Sequence, residues 1–200
     1  MKTNYDLIFQ DIISKLDHKP KLLLHSCCGP CSTAVIDTLK DYFNITILYY
    51  NPNIEPEEEY EKRKQEQIRL IKELGFINYL DCDYDNLEFL NTSKGLEKEK
   101  EGGARCSKCF YLRMSKTAKE AKNNNYEYFG TTLTVSPHKN SQVINEIGKQ
   151  IESELEVKYL FGDFKKHNGY LKSIELAKKY DLYRQDYCGC HFSNWHNIEE

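Results

Sequence analysis

The sequence predicts an α/β fold of three layers, a mostly parallel sheet of about five strands with helices on both faces, and three observations predict it. Short apolar runs rich in β-formers recur along the chain, each followed by a segment with apolar residues at helical spacing. Parallel neighbours joined by right-handed helical crossovers are the arrangement that such alternation produces. No internal repeat, linker or low-complexity tract interrupts it, and 200 residues suffice for one well-buried core.

Leu7, Ile8, Ile12 and Leu16 give residues 4–17 a helical apolar face, which Pro20 ends. Lys21–Ser26 is the first strand, stopped where Gly29-Pro30 turns the chain. Ser32 to Tyr42 follows as a helix with Val35, Ile36 and Leu39 inward. Ile45–Tyr50 is the second strand and runs into a turn at Asn51-Pro52-Asn53. Pro56 opens a helix from Glu57 to about Leu74, closed by Gly75. Ile77–Leu80 is a third strand leading to Asp81-Cys82-Asp83. Residues 84–104 have no clear period, and the charge run Lys94–Glu101 reads as a solvated loop or helix face before the break at Gly102-Gly103. Cys106 begins a helix to about Lys122, and Tyr126–Thr132 is the fourth strand. Ser136-Pro137 reads as a helix start, with Val143, Ile144, Ile147 and Ile151 on the apolar side. Val157–Phe161 is the last strand and Gly169 to about Tyr180 the last long helix, followed by Tyr187-Cys188-Gly189-Cys190 and a short aromatic and polar tail.

Charged residues are 30%, hydrophobic ones 40% and the net charge is −3, the balance of an ordinary globular domain without a global nucleic-acid signature. Asp6, Asp11 and Asp17 interrupt the first twenty residues, unlike a secretory leader, and no stretch approaches the roughly 20 apolar residues of a membrane span. The expectation is a cytoplasmic protein, where eight cysteines suit metal binding or redox chemistry better than a disulfide framework.

Seven of the eight cysteines fall in three groups: Cys27, Cys28 and Cys31; Cys106 and Cys109; Cys188 and Cys190. The first group sits between a strand's C-terminal end and a helix N-terminus, where open parallel sheets bind ligands and where helix dipoles favour thiolates. The two-residue gap of Cys106-x-x-Cys109 lets both sulfurs reach one metal, although a redox dithiol uses the same spacing. Cys188-Gly189-Cys190 allows a strained redox disulfide or a two-sulfur bite on one metal. Four thiolates suffice for an iron–sulfur cluster, so the surplus points to a second metal or redox function. Cys82 stands alone and reads as a buried thiol.

Five segments carry a resemblance over nearly the whole chain: His25-Ser26-Cys27-Cys28-Gly29-Pro30-Cys31, Tyr50-Asn51-Pro52-Asn53-Ile54, Arg105-Cys106-x-x-Cys109-Phe110, Thr131-Thr132-Leu133-x-x-Ser136-Pro137-x-Lys139, and Leu182-Tyr183-Arg184-Gln185-x-Tyr187-Cys188-Gly189-Cys190-x-Phe192-Ser193. In these the chain resembles the cobalamin-independent epoxyqueuosine reductases of the QueH type. The resemblance implies reduction of the epoxide of epoxyqueuosine to the alkene of queuosine at the wobble nucleotide of tRNA. It also implies a [4Fe-4S] cluster with an additional iron beside it, an electron donor, and a fold similar to the adenine-nucleotide-hydrolase α/β layer. The Ser-Gly-Gly-x-Asp-Ser loop of ATP pyrophosphatases is missing, so no ATP use is expected. Some members carry Asp where this chain has Cys31, a harder ligand than a thiolate.

On this basis Cys27, Cys28, Cys106 and Cys109 are the expected cluster ligands. Cys188 and Cys190, joined by Cys31, are the expected redox pair or second-iron ligands. Substrate contacts are expected from Arg63, Arg105, Arg184, Tyr50 and Lys139, with Tyr49 and Tyr187 as stacking surfaces. Lys108, Arg113, Lys116, Lys119 and Lys122 lie on or near the helix that starts at Cys106, and the stripe Lys116, Lys119 and Lys122 is a candidate for tRNA phosphates, although a solvated helix face reads the same way. His25 reads as strand packing, and Asp81 and Asp83 as turn residues. Two readings compete: an iron-free thiol–disulfide oxidoreductase, and a zinc-stabilised tRNA-binding module.

Overall fold

Leu22, Leu23 and Leu24 are fully buried because their strand runs through the middle of a sheet covered on both faces. Alternate side chains meet opposite layers. Leu22 and Leu24 pack with Phe9, Val35, Leu39 and Ile47, whereas Leu23 packs with Met114, Ala118, Phe129 and Ile144. The computed structural model describes residues 2–193, so the tail beyond Ser193 lies outside the described residues. Strands β1 (Lys21–His25), β2 (Asn44–Leu48), β3 (Asn78–Leu80), β4 (Tyr128–Thr131) and β5 (Lys158–Tyr159) pair in parallel in the order β3-β2-β1-β4-β5. In register, His25 stands beside Leu48 on one side and Thr131 on the other.

Helices α1 (Tyr5–Ser14), α2 (Gly29–Leu39), α3 (Glu57–Leu74) and α7 (Gly169–Lys179) supply one layer, with α2 packed against both α3 and α7. Helices α5 (Ala104–Asn123) and α6 (Ser141–Leu155) pack together on the other, and α4 (Asn86–Ser93) lies against α5. The chain lays down β1, β2 and β3 outward, then returns to place β4 on the other side of β1. That reversal leaves a crevice at the C-terminal ends of β1 and β4. Among the described residues, no helix is long and apolar enough to cross a membrane.

Three boundaries differ from expectation. Helix α2 begins at Gly29 rather than Ser32, since Pro30 is pre-set for a first helical turn, and Cys31 therefore sits on the helix itself. Helix α4 forms within the stretch read as unassigned: the Asp85 side chain accepts from the Glu88 backbone N–H, a cap whose signal is a single Asp. Helix α6 starts not at Ser136-Pro137, which follow a single 3-10 turn, but after Asn140, whose side chain accepts from the N–H of Gln142 and Val143.

Helix α6 approaches β5 closely at Gly148, where a Cβ would collide with the Tyr159 ring. Tyr159 is fully buried against Phe129 and Phe161 and has little room to yield. Gly148→Ala is expected to cost about 1–3 kcal/mol through overpacking. A denaturant melt with an unchanged midpoint would contradict this contact.

Candidate functional site

Sheet register fixes the site from its floor upward. Leu24 and His25 end β1, Ser26 follows, and Cys27, Cys28 and Cys31 occupy the turn into α2. Their sulfurs lie within 4.8 Å of one another, the one such group of three or more possible metal ligands among the described residues. Cys27 and Cys28 sulfurs are 3.9 Å apart, and the Thr132 hydroxyl, beyond β4, donates to the Cys27 sulfur at 3.6 Å. All eight cysteines are free thiols.

The other cysteines reach the same crevice from distant parts of the chain. Cys106 and Cys109 lie on the first turns of α5, and Cys109 packs with Cys190 against Phe89 of α4. Cys188, Cys27 and Cys31 line one cavity of about 660 Å³, together with Arg63, Arg113, Lys139, Arg184, Gln185 and Tyr187. The structure thus brings Cys27, Cys28 and Cys31 within ligation distance of one another. It places Cys106, Cys109, Cys188 and Cys190 around them without closing a second group of that kind.

Buried Arg113 and half-buried Lys139 explain the electrostatics. Arg113, on α5, donates to Asn51 Oδ1 at 2.5 Å, to His25 Nε2 at 3.3 Å and towards the Cys109 sulfur at 4.0 Å. His25 Nε2 also lies 3.1 Å from the Tyr50 carbonyl, and Nδ1 lies 2.9 Å from Thr131 Oγ1. Burial, then the Arg113 charge, holds His25 down to about 3, so the ring is neutral. Burial opposes charge on Lys139 and Arg113, but nearby cysteines outweigh it and raise both, Cys188 and Cys27 facing the lysine and Cys109 and Cys27 the arginine. Hydrogen bonds from Cys28 and Cys31, then the Lys139 and Arg113 charges, hold Cys27 well below the usual thiol range. A hydrogen bond from Cys190, then the same cations, lowers Cys188. Their partners move the other way, Cys28 up to about 11 and Cys31 and Cys190 also upward. Thiolate character is therefore favoured at Cys27 and Cys188, beside Lys139 and Arg113, whereas burial raises both Cys106 and Cys109.

The substrate candidates divide. Arg184 lies over the Tyr170 ring and lines the cavity, as do Lys139 and Tyr187. Tyr50 points elsewhere, its hydroxyl donating to Glu88 at 2.6 Å, and Tyr49 is fully buried. Arg105 is spent on the carbonyls of Leu96, Glu97 and Glu99 and on the Phe192 ring, where it braces the loop before α5. Arg63 also lines the cavity but is only 2% exposed and paired with Glu59. Lys108, Lys116 and Lys119 line a separate cavity of about 360 Å³ between α4 and α5, with Lys116 paired to Glu120. Arg113, named with these lysines on the same helix, is on its buried side.

Sequence reasoning missed the amides. Asn51 Nδ2 donates to the Ser26 carbonyl at 2.9 Å, tying the end of β2 to the cysteine turn while its Oδ1 holds Arg113. Gln67 Oε1 accepts from the Ser26 hydroxyl at 2.6 Å. Asn53 Oδ1, Gln185 Oε1 and Arg63 Nη2 belong to residues lining the cavity and are buried without a hydrogen-bond partner among the described residues. A polar Asn-Pro-Asn turn directly after a fully buried strand was the available signal.

Cys82 donates to the Tyr49 carbonyl at 3.1 Å, and burial pushes its thiol up to about 12. It takes no part in the crevice. Cys82→Ala is expected to leave metal content and turnover unchanged, and a loss of either would place it in the site.

Residues 22–196 match the family model described as epoxyqueuosine reductase QueH. A Staphylococcus epidermidis protein named epoxyqueuosine reductase QueH is 42% identical over 202 residues, covering 96% of this chain and 85% of the relative. A Thermotoga maritima protein of the same name is 36% identical over 175 residues, covering 86% and 89%. Among solved structures, the U34-tRNA thiolase NcsA from Methanococcus maripaludis with its [4Fe-4S] cluster aligns with a TM-score of 0.59 at 15% identity, over 94% of this chain and 67% of that one. A predicted subunit of tRNA methyltransferase from Methanocaldococcus jannaschii aligns at 0.52 and 16%, over 80% and 74%. These two share the fold.

Proposed function

The chain belongs to the epoxyqueuosine reductase QueH family, and from that premise we propose that its cysteine-lined crevice is where epoxyqueuosine in tRNA is reduced, with an iron–sulfur cluster at hand. It is an oxidoreductase of tRNA queuosine biosynthesis. The observation that carries the site is that Cys27, Cys31 and Cys188, from distant parts of the chain, line one cavity together with Arg113 and Lys139, while Cys109 lies beside Arg113 on α5.

The donor set suits an iron–sulfur group. Soft sulfur ligands select such metals, thiolate character is already favoured at Cys27 and Cys188, and fixed cations offset the negative charge that clustered thiolates bring. Cys27, Cys28, Cys106 and Cys109 would hold the cluster, and Cys31, Cys188 and Cys190 a second iron or a redox-active pair. When bound, the cluster supplies electrons that no side chain gives easily. Turning an epoxide into an alkene consumes two electrons and two protons and releases water. Lys139 Nζ holds a proton at the cavity wall for the departing oxygen. Asn53 Oδ1 and Gln185 Oε1 are unpaired acceptors for donor groups of the modified base, and unpaired buried acceptors are costly unless a ligand meets them. Arg184 and Tyr187 offer planar surfaces to an extruded nucleotide. The reading also makes the described chain one domain, with the Cys-Gly-Cys segment closing on the site.

Anaerobic purification followed by a visible spectrum and iron, sulfide and zinc analysis tests the cofactor. Iron with acid-labile sulfide is the expected result. Stoichiometric zinc would overturn it in favour of a zinc site, and a colourless, metal-free but active enzyme in favour of dithiol chemistry.

A further inference from the structure

Helix α3 runs beside the segment that carries the last two cysteines and grips it at successive turns. Arg69 Nη2 donates to the carbonyls of Tyr180 and Asp181 at 3.0 and 2.9 Å. Glu66 accepts from the Tyr183 backbone N–H at 2.9 Å, and Glu59 accepts from the Tyr183 hydroxyl at 3.1 Å. Just before the helix, the Glu55 N–H donates to the Gly189 carbonyl at 2.9 Å. Of the side chains in this row, Arg63 is the one that reaches the cysteines. Its Nη1 donates to the Cys188 carbonyl at 3.1 Å, its Nε to Glu59 at 2.6 Å, and its guanidinium lies 5.0 Å from the Tyr187 ring centre.

Gly189 completes the fit. Its φ of +95° belongs to the region that favours glycine, and a Cβ there would stand 2.9 Å from Arg63 Nη1. The turn and the guanidinium are thus packed against each other with no space for a side chain between them. A phosphate contact, the role expected of Arg63 from sequence, fits poorly: the residue is 2% exposed and its charge is already answered by Glu59.

We propose that Arg63, held by Glu59, is a positioning residue that fixes the Cys188-Gly189-Cys190 turn against the cysteine crevice. Without it the turn itself keeps the Glu55–Gly189 backbone bond and the His191–Glu55 pair, while the α3 contacts that remain, through Arg69, Leu70, Glu66 and Glu59, fall on residues 180–183 before it. Cys27, Cys28 and Cys31 do not depend on Arg63, because β1, α2 and the Asn51 bridge hold their turn.

The test uses cofactor-free, reduced protein, so its result is independent of what the crevice binds. Labelling of each cysteine by iodoacetamide is followed by peptide mass spectrometry in wild type, Arg63→Gln, Arg63→Lys and Arg69→Gln. In Arg63→Gln, Cys188 and Cys190 are expected to label about 10-fold faster or more, the local opening that loss of a charge-assisted hydrogen bond allows. Cys27, Cys28 and Cys31 should stay within about two-fold, since their turn is held separately. Arg63→Lys should restore much of the protection, and Arg69→Gln should leave all seven site cysteines as in wild type. Unchanged Cys188 and Cys190 rates, or a uniform rise at every cysteine, would overturn the proposal. Should Arg63→Gln not fold, Glu59→Gln loosens the guanidinium while retaining the arginine: a selective rise at Cys188 and Cys190 supports the clamp, and its absence refutes it. Selective labelling with no iron bound under anaerobic loading would leave the clamp standing and remove the cluster assignment.

Discussion

Cys27→Ala is expected to remove the iron–sulfur absorbance and to lower epoxyqueuosine reduction by more than about 100-fold, beyond the loss typical of residues that only support ligands. Cys27 sits where every part of the site meets. Its sulfur is 3.9 Å from that of Cys28, accepts from Thr132, and faces both Lys139 and Arg113. Removing it deletes a proposed cluster ligand and also a counter-charge. Arg113 opposes the charge on Lys139, and the thiolates between them offset that repulsion. The cofactor-free variant should therefore also melt lower than wild type. Retained absorbance with retained activity would overturn the ligand assignment. The same spectrum on Cys106→Ala asks whether the helix α5 pair completes the set, and a fully active Cys188→Ala would remove that residue from the chemistry.

Arg113→Gln is expected to destabilise the protein by about 3–5 kcal/mol, the cost of breaking a buried charged network from one side. The side chain is 2% exposed and joins four elements: Asn51 after β2, His25 on β1, Cys109 on its own helix, and the Cys27 turn through its charge. Gln removes the guanidinium donor from Asn51 Oδ1 and the counter-charge from Cys27. Arg113→Lys keeps the charge but cannot bridge Asn51 and His25 together, so it should fall between wild type and Gln. For a chain of this size each kcal/mol moves the melting midpoint by about 2–4 °C. An unchanged midpoint in Arg113→Gln would show that the network carries no weight.

Much of the fold was legible along the chain. The apolar runs at Leu22–Leu24 and Ile45–Leu48 lie in the two central buried strands, and helix α3 runs from Glu57 to Leu74 as its proline start and glycine stop indicate. Short elements were less legible. Helix α4 rests on one Asp cap, and β5 has only two residues, Lys158 and Tyr159, too few to show a period. The arginines were least legible. Composition treats Arg63, Arg105 and Arg113 alike, yet one grips the Cys188 turn, one braces a loop, and one is buried among thiols.

By itself the sequence determined which thiols exist, their local spacing, and the β1 turn that holds Cys27, Cys28 and Cys31, because those features arise from residues a few positions apart. Only the tertiary structure decided that Cys188, far along the chain, faces Cys27 across one cavity, and that Cys109 comes beside the same Arg113. Strand order alone brings them together: placing β4 beside β1 opens the crevice, and α3 then directs the C-terminal turn across it. The same packing turned Arg113 inward and left Lys108 and Lys119 outside, since a helix facing the sheet buries one side whatever charge that side carries.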